Sequence, residues 1–106
     1  MQLLATDLLK QLPVAIRPKL INLFSTTTPD LLTEIQQAAV GGNLILMAQA
    51  AHKLKGSCIS LGAEQMAAIC KHLQKQGEAN DATGLNEQIT ELTQLYPATL
   101  NAMQNV

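Results

Sequence analysis

Tryptophan is absent from this chain, and tyrosine and phenylalanine occur once each. A core without large aromatic rings must be built from Leu, Ile, Ala and Met, residues that suit packed helices better than sheets. Charge of one sign is also missing: seven basic and eight acidic side chains nearly cancel. That balance lacks the basic excess on which phosphate-backbone binding depends, so nucleic acid is not an expected partner. No apolar run approaches the roughly 18 residues of a membrane span, and the N-terminus carries neither the basic flank nor the cleavage site of a signal peptide. The expectation is a cytoplasmic module without membrane insertion. Only two cysteines occur, Cys58 and Cys70, with no C-x-x-C pairing; they read as small core residues of a reduced protein.

What is present is helical period. The 106 residues, 47% of them apolar, are about the size of one domain with one core. Gly and Pro punctuate segments that repeat at three and four rather than alternate. A first stretch, Leu3 to Leu12, ends before Pro13, and a second opens with Pro18 and packs Leu20, Ile21 and Phe24. Together, residues 1–27 read as N-terminal cover helices. Thr28-Pro29-Asp30 offers a hydroxyl N-cap, a proline at the first helical position and an acid favoured by the dipole, which predicts a helix start there. Gly41-Gly42 permits a left-handed exit, and Asn43 can cap the next helix, Leu44 to Leu61, which ends at Gly62. A further helix from about Ala63 carries Met66, Cys70 and Leu73 and ends before Gly77. The last presents Leu85, Ile89, Leu92, Tyr96, Thr99 and Met103, with a kink or break expected at Pro97. The predicted fold is all-α: an antiparallel up-down four-helix bundle over 28–105 with an extra N-terminal covering helix.

The helix from Leu44 to Leu61 carries the chemistry. Met47, Ala51, Leu54, Cys58 and Leu61 repeat at four, three, four and three, forming one apolar stripe toward the bundle. At about 100° per residue, His52 lies roughly 140° from that stripe's centre, Lys55 about 80° and Gly56 about 180°. His52 therefore points outward, with Gly56 one turn on leaving open space beside the imidazole. A helix-interior glycine costs about 1 kcal/mol relative to alanine, and close approach by another molecule is a reason to keep it. Ile45, Ala48 and Ile59 are placed on the same outer side, with Gln49 beside them, as a docking patch. A neutral imidazole is nucleophilic near pH 7, and Lys55 sets an ammonium one turn away for the charge on a transferring group. From these residues alone two other readings stand beside phosphoryl acceptance. One is a helical adaptor in which His52 is merely solvated. The other is a metal site of His52, His72, Cys58 and Cys70, whose scattered spacing is unlike that of zinc ligands and which leaves His72 as a solvated surface residue.

The contiguous string Ala51 to Ala63, AHKLKGSCISLGA, closely resembles the signature of the histidine-containing phosphotransfer (HPt) domain family: His-x-Leu-Lys-Gly-Ser followed by Leu-Gly-Ala. The wider layout is similar too, from about Leu20 to Leu95: Phe24 followed by Thr-Pro-Asp, a short turn before the His helix, and a Cys-x-x-Leu helix after it. The resemblance implies His52 as phosphoacceptor, Lys55 as the phosphate-stabilising cation, Gly56 as access for the partner and Ser57 as a small motif residue. It implies receiver domains of a hybrid sensor kinase and of a response regulator as partners and Mg2+ on the receiver, with no cofactor or metal of the chain's own and a monomer expected; with no Gly-rich nucleotide loop and no room for a kinase domain, autokinase activity is not expected. Two positions depart from the family's pattern. Gln74 stands where many members carry an acid, and Gly42-Asn43 where Gly-Asp is frequent.

Overall fold

The computed structural model describes all 106 residues. It contains five helices and no strand: α1 Thr6–Gln11, α2 Arg17–Val40, α3 Leu44–Leu61, α4 Glu64–Glu78 and α5 Leu85–Gln104. The short α1 covers the bundle made by the four long helices. Short connections at Gly41–Asn43 and Gly62–Ala63 make α2, α3 and α4 antiparallel neighbours. Helix α3 is central, packed between α2 and α4, and α5 closes the bundle against both of those. One apolar cluster links residues from all five helices, from Leu9 of α1 to Met103 of α5. Its single aromatic pair is Phe24 and Tyr96, with ring centroids 5.8 Å apart and planes tilted by 51°.

The expected boundary between cover and bundle at residues 27 and 28 does not exist. Helix α2 runs without a break from Arg17 to Val40 with Pro29 inside it. Thr28 is fully buried in the core, and its hydroxyl has no hydrogen-bond partner, so it caps nothing. Proline inside a helix frees the carbonyl four residues earlier and costs about 3 kcal/mol when nothing answers that carbonyl. Here the orphan is the carbonyl of Ser25, and the Tyr96 hydroxyl of α5 donates to it at 3.2 Å. Local cap chemistry was outvoted by a partner 71 residues away. Helix α5 likewise continues through Pro97, where the pattern had predicted a kink or break.

The turns around α3 follow local chemistry. Gly42 takes a positive φ of 74°, and the Asn43 side chain accepts from the Leu46 N–H at 3.1 Å. At the far end Gly62 is left-handed, and the Ala63 N–H donates to the Cys58 carbonyl at 2.8 Å, satisfying an orphan of the last turn. The Ala5 N–H donates to the Gly62 carbonyl at 2.7 Å, tying the chain before α1 to this turn.

Helix α4 ends differently from expectation. Gly77 does not stop it; the helix passes through to Glu78. A Cβ at Gly77 would lie 2.7 Å from the Ala48 Cβ and collide with the Leu44 carbonyl. The glycine is there for close approach of α4 to the start of α3, a packing role rather than a terminating one.

Candidate functional site

Every member of the apolar stripe on α3 is buried: Met47, Ala51, Leu54, Cys58 and Leu61. The outer face then carries His52 and Gly56 exposed and Lys55 half-buried, as the helical angles require. Nothing lies within 4 Å of a Cβ built on Gly56, so the space beside the imidazole is open. Ser57 is half-buried and turns toward a groove between α2 and α3, shared with Leu20, Leu23, Leu31 and Ser60. A second groove, between α3 and α4, is lined by Ile45, Gln49, His52, Gln74 and Glu78. Lys53 borders both.

The docking patch is narrower than expected. Ile45 and Ile59 are 67% and 58% exposed, but Ala48 is only 5% exposed. Two neighbours press on α3, so its buried arc is wider than one stripe. Ala48 and Ala50 are small enough to let α4 and α2 come close, and Ala48 lies beneath Gly77. Ile45 and Ile59 each stand seven residues from His52, about 10 Å along the axis, so they flank the imidazole without surrounding it.

Gln74, which departs from the family's acid but keeps hydrogen-bonding capacity, sits at the centre. Gln74 of α4 places its Oε1 2.8 Å from Lys55 Nζ and 3.2 Å from His52 Nδ1. An ammonium can only donate, which fixes that atom of Gln74 as the carbonyl oxygen. A carbonyl oxygen only accepts, so His52 Nδ1 must bring the hydrogen. In its neutral form the imidazole is thereby the Nδ1–H tautomer, with the lone pair on Nε2. One amide oxygen aligns the His52 imidazole and the Lys55 ammonium together. The signal for this in the sequence was the position itself, one turn beyond the core residue Cys70 and in the place of the family's acid.

The remaining candidates are dispersed. Cys58 and Cys70 are free and buried between α3 and α4. The Cys58 thiol is pushed far up from its ordinary range by its hydrogen bond with Cys70, by burial and by the Cys70 charge. His72 is exposed on the α5 side of α4 and bonded to Gln88 at 2.9 Å. These four residues form no common ligand cluster.

The model of the Hpt domain family matches residues 19–102. The chain belongs to the Hpt family. Histidine phosphotransfer in phosphorelays is what Hpt domains do, as carriers rather than as conventional enzymes. The fold of this Hpt domain is similar to that of histidine-containing phosphotransfer protein B (HptB) from Pseudomonas aeruginosa PAO1. The TM-score is 0.90 at 19% sequence identity, covering 97% of this chain and 92% of the other. Comparison with curated proteins gives no match. In this Hpt domain, the arrangement of Gln74, His52 and Lys55 presents one ring nitrogen outward beside an open face, with a cation one turn away.

Proposed function

We propose that His52 is the phosphoacceptor and that this domain is an intermediate carrier between receiver domains. It takes the phosphoryl group from a phosphoaspartate of one receiver and gives it to an aspartate of another, reversibly. The observation that carries this reading is the shared Gln74 oxygen, which leaves the His52 lone pair on Nε2. In the forward step that lone pair attacks phosphorus in line. The bond from phosphorus to the aspartyl oxygen breaks, the electron pair leaves with the carboxylate, and Nδ1–H of the resulting imidazolium still points at Gln74. Lys55 lies where it can turn from Gln74 to the transferring oxygens, adding charge stabilisation to that of Mg2+ on the receiver.

Docking falls to the outer face of α3. Gly56 gives access, Ser57 keeps the α2 side low, and Ile45, Gln49 and Ile59 contribute contact area. The receivers in this reading are those of a hybrid sensor kinase and of a response regulator. The domain works as a monomer in the cytoplasm; no helix is long and apolar enough to cross a membrane. It holds no Gly-rich nucleotide loop, and in this reading it does not phosphorylate itself from ATP. The test is incubation with phosphorylated receivers, followed by peptide mass analysis. Stoichiometric label on His52 is expected. A folded domain left unlabelled by the organism's whole set of receivers would falsify the reading in favour of a helical adaptor.

A further inference from the structure

A second imidazole of this chain is held much as the first is. His72 lies on the α5 side of α4, and a run of side-chain amides fixes its state. Gln76, buried, donates from Nε2 to the Thr83 carbonyl at 2.7 Å and lies 3.5 Å from the Asp81 carbonyl. Carbonyls only accept, so that atom is the amide nitrogen and the other is the oxygen. Gln88 donates its own Nε2 to that oxygen. The Gln88 oxygen is therefore the atom 2.9 Å from His72 Nδ1, and the ring must donate to it. In its neutral form His72, like His52, is the Nδ1–H tautomer with its lone pair on Nε2.

One spacing recurs as well. His72-Leu73-Gln74-Lys75 sets an exposed lysine three residues on, the same offset as in His52-Lys53-Leu54-Lys55. One position differs in a way that sorts donors. Four residues beyond His52 stands Gly56, with open space; four beyond His72 stands the buried Gln76, and α5 rises beside the ring through Gln88. His72 is itself exposed, so a small donor reaches it, but its face lacks a cleared position of the kind that Gly56 gives beside His52.

We propose that His72 is a second phosphoryl-accepting imidazole, reached by small phosphoryl donors such as phosphoramidates and acyl phosphates and not by receiver domains. This goes beyond the carrier reading of His52 and does not depend on it. In the step the Nε2 lone pair attacks phosphorus, and the bond to the donor's leaving group breaks. With phosphoramidate the departing nitrogen takes a proton from water and leaves as ammonia; with an acyl phosphate a carboxylate leaves. The product is a phosphoimidazolium whose Nδ1–H remains on Gln88. Lys55 is held beside His52 by the Gln74 oxygen they share, whereas Lys75 is exposed and has no such tie to His72, so His72 reacts more slowly than His52.

The experiment treats the parent, His52→Gln, His72→Gln and the double variant with phosphoramidate, reading phosphorus NMR and peptide mass. Two phosphohistidine signals are expected in the parent. The faster disappears in His52→Gln, the slower in His72→Gln, and both in the double variant. In Gln88→Leu the slower signal grows several-fold more slowly relative to the His52 signal in the same tube, and a melting curve checks that the bundle is intact. With a phosphorylated receiver as donor, His72 stays unlabelled. A His52→Gln protein that takes no phosphoryl group from phosphoramidate overturns the proposal, as does receiver-dependent label on His72 or an unchanged signal ratio in Gln88→Leu. Failure of the carrier reading shows separately, as a parent protein whose His52 no receiver labels.

Discussion

At the scale of the residue, the proposed chemistry rests on one amide oxygen that two donors share. His52 is exposed and outside the core, so His52→Gln should abolish receiver-dependent labelling while shifting stability by no more than about 0.5 kcal/mol. A melting curve beside the labelling assay checks both halves; a large loss of stability would make the imidazole structural. Lys55→Ala should slow transfer by about ten- to a hundredfold without ending it, because in the proposed reaction a metal on the receiver would stabilise much of the same charge. Rapid-quench transfer in both directions measures this, and unaltered rates would remove Lys55 from the site.

At the scale of the helix, two glycines make opposite predictions. A side chain at Gly56 meets open space, so Gly56→Gln should fold with stability equal to or above the parent while exchanging poorly with receivers. Gly77 is pressed against Leu44 and Ala48, so Gly77→Ala should destabilise by about 1–3 kcal/mol despite the better helix propensity of alanine. Urea unfolding of the two variants beside receiver labelling separates docking from packing. If Gly56→Gln unfolds or transfers at the parent's rate, the outer face has been misassigned. Helix α2 offers a third case. Tyr96→Phe keeps the ring against Phe24 but leaves the Ser25 carbonyl without its donor beside Pro29, and should cost about 0.5–1.5 kcal/mol.

At the scale of the whole molecule, the buried thiol pair couples stability to pH. Cys58 stays protonated in the fold, held so by Cys70 and by burial, whereas in the unfolded chain a thiol ionises near its ordinary pKa of about 8.5. A group whose folded pKa is raised contributes fully below the unfolded pKa and loses that contribution as pH rises above it. Stability should therefore fall between about pH 8.5 and 10, with a slope of at most about 1.4 kcal/mol per pH unit from this thiol. Denaturation midpoints across that range test it, and a Cys58→Ala variant should show a shallower decline. Both thiols should also resist alkylation in the native state and react once the bundle unfolds.

Period and punctuation alone determined that the chain is helical, where α3 begins and ends, which residues of α3 form its inner stripe, and that His52 and Gly56 face outward. These depend on contacts within a few residues: a cap at Asn43, a left-handed Gly62, and a rotation of about 100° per residue. The tertiary structure decided the rest, because each remaining question turned on atoms far apart in sequence. Pro29 reads as a helix start until the Tyr96 hydroxyl reaches the carbonyl it orphans. Gly77 reads as a stop until α3 is laid against it, and Ala48 reads as surface until α4 covers it. Gln74 reads as a departure from a pattern until its oxygen is found between Lys55 and His52, 19 and 22 residues away. A sequence sets the angle at which a side chain leaves its own helix; which neighbour waits there is set only when the helices pack.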